Sequence, residues 1–267
     1  MFLLRRLAVL LLILSASPLY ANDPPELLIY GGITMVRPIS ELAQNFEKTE
    51  RVKIRISQGG SEDLYQSAKL SRQGDLYLHG EPSYRELYLA EGLLGDYAII
   101  GYNRMAMMVA KGNPHAVKSE PTELLRPELD VIIGNAKSGS VGKETESILK
   151  ALGIYAQVLD RAIYLAPDSR ALMTAMKRGE ADVIMNWRAV GFFPDNAPFI
   201  DVIDLDPRLA KPEALLLTQL VFSKHPQLAR KFMSYAASPE GQAIIRKYGF
   251  FDNRTVLPEH SGSIGHD

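Results

Sequence analysis

One local pattern recurs along the chain: an apolar run, a glycine turn, a hydroxyl residue, then a helix-like segment. Leu28–Ser40 reads LIYGGITMVRPIS, in which a strand over Leu27–Tyr30 meets Gly31 and Gly32, Thr34 stands as helix N-cap, and Pro38 falls in the first turn. Val52–Ser57 (VKIRIS) alternates like a strand and ends in Gln58-Gly59-Gly60-Ser61, with Ser61 placed to cap a helix over Glu62–Leu70. Asp75–His79 runs into Gly80, and Glu81-Pro82-Ser83 opens the next helix. Strands alternating with helices predict an α/β sheet whose ligand loops gather at the carboxyl ends of the strands. Free N–H groups at helix starts make such loops anion sites, although each turn taken alone is equally an ordinary strand-to-helix connection.

A second series begins at Asp130. Asp130–Gly134 (DVIIG) is a buried-type strand, Asn135–Gly142 a small polar loop, and a helix follows from about Lys143 to Leu152. Ser169–Arg178 is helical in pattern with Asp168 or Ser169 as cap, Ala181–Met185 (ADVIM) is a strand ending in Asn186-Trp187-Arg188, and Asp201–Asp206 is another. Two long apolar runs, Ile99–Ala110 and Pro212–Ser223, read as crossings between lobes. Pro226–Tyr248 is amphipathic and broken at Ser238-Pro239. The expected architecture is two-lobed: each lobe is a mostly parallel sheet flanked by helices, with residues 26–103 and 222–252 in the first lobe and 104–221 in the second. Residues 253–267 form a tail with little to bury.

The first 21 residues carry Arg5 and Arg6, an apolar run Leu7–Leu14 and a small residue at Ala21. They read as a secretory signal peptide, the apolar run being too short for a bilayer core of ~30 Å. The sequence has no cysteine, 46% hydrophobic residues, and 30 Lys plus Arg against 31 Asp plus Glu. That balance gives no basic patch for nucleic acid or an anionic membrane, so an anionic ligand would have to be held by local geometry.

Candidate binding residues follow from the loops. Ser138 and Ser140 add hydroxyls to the second-half loop, and Asn186 offers an amide at a strand end. Arg37, Arg170 and Arg188 stand near these positions; each is read either as a rigid fork of donors for a phosphate-type or carboxylate anion or as a solvated or salt-bridged surface residue. Ser138–Lys143 (SGSVGK) departs from a nucleotide-binding loop, because Glu144 follows the lysine and Lys137 occupies the position of the first glycine. Of the five histidines only His79 lies at a strand end, and neither an HExxH nor a G-x-S-x-G pattern occurs. The reading is a non-enzyme with no cofactor and no coordinated metal cation.

The order of parts from Leu27 to about Phe250 resembles the periplasmic molybdate-binding proteins of ABC transporters, within the two-lobed solute-binding proteins. Thr34 stands in the place of that family's first ligand serine and Ser61 in the place of the second hydroxyl. Asp75–Gly80 matches an acidic residue, apolar strand and small residue, which implies that the Gly80 N–H faces the anion. Ser138-Gly139-Ser140 matches the backbone-donating loop, Asn186 replaces a ligand tyrosine, and Lys247-Tyr248-Gly249-Phe250 resembles the family's ending. The resemblance implies an exported, monomeric binding protein that takes a tetrahedral oxyanion, molybdate or tungstate first, between its lobes and hands it to an ABC permease. The implied ligand set is Thr34, Ser61, Gly80, Gly139, Ser140 and Asn186, with Gly60, Arg37, Ser138, Arg170 and Arg188 as possible additions. Sulfate, phosphate or a phosphonate-like anion is the alternative ligand, and sensing for a membrane receptor the alternative role.

Overall fold

A computed structural model describes residues 23–251; the expected signal peptide and the tail 253–267 lie outside them. The first sheet is built from β1 (Glu26–Gly32), β2 (Lys53–Gly59), β3 (Leu76–Leu78) and β4 (Leu94–Asn103), joined by β10 (Glu213–Leu220) from near the end of the chain. Their order is β2-β1-β3-β10-β4. Between the strands run α1 (Val36–Thr49), α2 (Ser61–Ser71) and α3 (Ser83–Tyr88). The expected stripe on α1 is the buried one: Ile39, Leu42, Ala43 and Phe46 face the sheet. All three residues of β3 are buried, as a strand covered on both faces requires.

The second sheet has the order β7-β6-β8-β5-β9, from β5 (Met105–Ala110), β6 (Val131–Gly134), β7 (Leu165–Ala166), β8 (Val183–Trp187) and β9 (Ile200–Asp204). Its helices are α4 (Ser140–Ala151), α5 (Tyr155–Arg161), α6 (Ser169–Lys177) and the short α7 (Arg188–Gly191). The chain then returns, and α8 (Pro226–Ala237) and α9 (Pro239–Lys247) pack on the first sheet, where Phe232 meets Phe46 edge-on at 5.2 Å. Ser238 separates these two helices and caps the second by accepting the Gly241 N–H.

Two sheets flanked by helices therefore form two lobes, and in each sheet all strands but one run in the same direction. In each, a strand arriving from across the molecule pairs antiparallel on both sides: β10 between β3 and β4, β5 between β8 and β9. The run Ile99–Ala110 splits at Arg104 into β4 of one sheet and β5 of the other. The return happens earlier than the sequence suggests. Its crossing lies in residues 205–212, so β10 belongs to the first sheet and not to the second lobe's 104–221 span.

Candidate functional site

Four helix starts converge on one small cavity between the lobes. From the first lobe come the single 3-10 turn Ile33–Met35 that leads into α1, and the start of α2 at Gly60-Ser61. From the second come α4 at Gly139-Ser140 and α6 at Asp168-Ser169. Each start carries a hydroxyl: Thr34, Ser61, Ser140 and Ser169, all buried. The cavity is about 20 Å³ and is lined by these residues with Gly32, Gly59, Gly80, Asn103 and Trp187 among others. A single water needs roughly 10–15 Å³ of such space, so the cavity suits a compact solute of a few heavy atoms.

The hydrogen bonds around the cavity orient its donors inward. Ser61 Oγ accepts the Gly80 N–H at 3.1 Å, and Ser140 Oγ accepts the Trp187 Nε1–H at 3.3 Å. Each hydroxyl has thus filled an acceptor site and keeps its own proton to donate. Asn103, buried at the end of β4, accepts from Arg104 N and Ala189 N through Oδ1. That fixes its amide, and among the described residues Nδ2 has no protein partner. The wall's one charged residue, Asp168, turns Oδ1 onto the Ala171 N–H of its own helix. What remains is a ring of neutral donors backed by first-turn N–H groups, which suits an anion that offers only acceptors.

Several sequence expectations need correction here. Gly31 and Gly32 finish β1 in extended geometry, so the turn is the 3-10 turn behind them, and Thr34 lies inside it without capping. Ser61 and Ser140 are first helical residues, with Gly60 and Gly139 at the cap positions. The Gly80 N–H goes to Ser61 rather than to the cavity.

Asn186 is not on the wall. It is fully buried, donates from Nδ2 to Ser169 O and accepts the Trp187 N–H, tying β8 to the start of α6. Ser138 is also off the wall, its hydroxyl donating to Pro167 O at 2.8 Å. Arg188 binds Asp204 at 2.7 Å, Arg37 binds Asp195 at 2.7 Å, and Arg170 donates to Gln58 at 2.8 Å. None of the three lines the small cavity. Asn103 and Ser169 were missed as donors. Asn103 sits inside what reads as an uninterrupted apolar crossing, while Ser169 stood out only as a possible cap.

A family model described as bacterial extracellular solute-binding protein matches residues 27–251. The chain belongs to that family. Its members bind solutes and are not enzymes, and this binding protein shares its fold with several solved ones. A sulfate-binding protein from Mycobacterium tuberculosis is 17% identical, with a TM-score of 0.75, over 88% of this chain and 90% of that one. A periplasmic thiamin-binding protein is 14% identical, also at 0.75, over 87% and 84%. The molybdate-binding protein of Azotobacter vinelandii is 15% identical at 0.70, over 84% and 98%. At such identities the likeness is one of fold, and three unlike ligands show that the fold does not name the solute.

Beside the cavity, the binding protein carries further contacts between its lobes. Lys143 of α4 reaches Ser83 Oγ and lies 3.4 Å from Glu81 Oε1 and 4.6 Å from the Tyr84 ring centre. Next to it, burial first and then the neighbouring Glu213 and Glu81 push the Glu144 carboxyl up to about 7. Glu213 is pushed up for the same reasons, burial and then Glu81. His79 is fully buried and burial pulls it down to about 4, so the ring is neutral; Nδ1 donates to Glu81 O and Nε2 has no partner among the described residues. Also among the described residues, no cluster of acidic and histidine side chains is fit to hold a metal ion, and no helix is long and apolar enough to cross a membrane.

Proposed function

We propose that this binding protein captures a tetrahedral oxyanion, free or as the head of a small molecule, in the small cavity and delivers it to an ABC permease in the periplasm. The observation that carries this reading is the convergence of four helix starts and their hydroxyls on a cavity of about 20 Å³ with no cationic side chain on its wall. A cation would meet N–H and O–H dipoles of the wrong sign there. Thr34, Ser61, Ser140, Ser169 and the Asn103 amide are the side-chain donors. Gly60 and Gly80 allow the lobes to approach, since a Cβ on either would overlap the opposite lobe. Molybdate and tungstate are favoured by the strand-end resemblance, while sulfate and phosphate-type heads fit the same donors.

The test is calorimetry with molybdate, tungstate, sulfate and phosphate, on the purified chain and on Ser61→Ala. Binding of at least one oxyanion, weakened by the substitution, is expected; heat from a neutral or cationic solute and from no oxyanion overturns the reading.

A further inference from the structure

A second, larger cavity adjoins the first and differs from it in chemistry. It is about 180 Å³ and shares Ile33, Thr34 and Ser169 with the small cavity as walls. Beyond these its wall has an apolar side and a charged side, with Thr174 and Asn196 as neutral polar residues. Val36, Met173, Val190 and Phe193 give an apolar side. Arg37, Arg170 and Lys177 give three cations, against which the wall sets one carboxylate, Asp195.

The cations are not all spent on protein partners. Asp195 takes Arg37 at 2.7 Å and Lys177 only at 3.7 Å, and Arg170 has a neutral partner, Gln58. The cavity therefore holds two positive charges in excess beside an apolar wall. A bare inorganic ion seated among the neutral donors uses none of this.

Resting on the proposed oxyanion site, we infer that the solute is an organic oxyanion: a phosphate, phosphonate or sulfonate head joined by a short carbon chain to a carboxylate that lies in the second cavity. The head takes the neutral donors of the four helix starts. The chain passes Thr34 and Ser169 onto the apolar wall, and the carboxylate meets Lys177 and Arg170. Arg37, already paired across the cleft with Asp195 and lying 4.9 Å from the Phe193 ring centre, closes the far side.

Calorimetry on the purified chain with two sets of probes tests this. Phosphonoacetate, 3-phosphonopropionate and 2-phosphoglycolate carry the carboxylate; methylphosphonate, inorganic phosphate, sulfate and molybdate do not. At least one carboxylate-bearing probe is expected to bind ten or more times as tightly as every probe of the other set. Lys177→Gln breaks no contact across the cleft, since its partner Asp195 follows α7 in the same lobe. It should weaken the carboxylate-bearing probe several-fold and leave sulfate or molybdate unchanged. An inorganic oxyanion that binds as tightly as the best organic probe, or a Lys177→Gln effect that is absent or equal in both sets, overturns the inference and leaves the oxyanion site standing. Failure of every oxyanion in both sets removes the oxyanion site itself.

Discussion

Gly60 of the first lobe lies so close under the backbone of Ser138 in the second that any Cβ on it would overlap the Ser138 carbonyl oxygen. Its own backbone is ordinary, with φ −66° and ψ 147°, so alanine there brings no conformational strain. The crowding belongs to the closed arrangement of the lobes. Gly60→Ala is therefore expected to fold with nearly unchanged thermal stability in the absence of solute and to lose at least tenfold in affinity. Small-angle scattering should show that saturating solute no longer compacts it. Wild-type affinity in Gly60→Ala would mean that the lobes close on some other contact.

Asn103 and Asn186 are both buried amides near the site, and they predict opposite phenotypes. Asn103→Asp keeps the Oδ1 that accepts from Arg104 and Ala189 but replaces the inward NH₂ by a carboxylate oxygen. A donor to a charged ligand, worth roughly 1.5–3 kcal/mol, becomes a repulsion, so binding should fall by well over tenfold while the melting temperature changes little. Asn186→Ala instead leaves Ser169 O and Trp187 N without their partners, at a cost of about 1–3 kcal/mol of stability. Thermal melts and calorimetry on both variants separate the roles; a stable Asn186→Ala with lost affinity would reverse the assignment.

The single tryptophan is a built-in reporter. Trp187 is 1% exposed, lines the small cavity and donates to Ser140 Oγ. Solute that accepts a hydrogen bond from Ser140 changes the field at the indole, so emission should shift on titration with the dissociation constant that calorimetry gives. Ser140→Ala should weaken binding by about 1.5–3 kcal/mol and shrink the spectral change. An emission spectrum indifferent to saturating solute would place the ligand elsewhere.

The repeated strand, glycine and hydroxyl order made the fold and much of the cavity wall legible, because each link of that pattern is local. Apolar periodicity located α1 and its buried face, and Asp168 announced the start of α6. What sequence could not supply was the far end of each contact. Asn186 reads as a donor at a strand end, yet its amide is taken by Ser169 O, a partner 17 residues away. Arg37 stands three residues from Thr34, but α1 carries its side chain to Asp195, 158 residues on. Asn103 stayed hidden because its value lies in a crossing between sheets, where one residue, Arg104, separates two strands that look like one.

Lobe closure should also carry a proton. Glu144 sits on α4 of the second lobe, and the groups facing it are Glu81 and Glu213 of the first lobe and its neighbour Lys143, which opposes the shift. In the closed form its carboxyl stands at about 7 against an ordinary 4.5. Burial is the largest cause of that rise, with Glu213 and Glu81 next, so opening the lobes, which takes the two carboxylates away, lowers it part of the way toward the ordinary value. A group whose pKa is raised in the closed state favours closure fully below its open-state pKa, and that contribution is lost as pH rises through the closed-state value. Affinity for sulfate, whose charge is constant over this range, is therefore expected to be highest below about pH 5. It should fall toward about pH 7 and level off above that. Calorimetry in buffers of different ionisation enthalpy should read proton uptake on sulfate binding near about pH 6. Glu144→Gln stays neutral throughout, so its affinity should remain high and flat and its proton uptake should shrink. A flat profile in the unaltered chain, or an unchanged slope in Glu144→Gln, would assign the pH dependence of closure to another group.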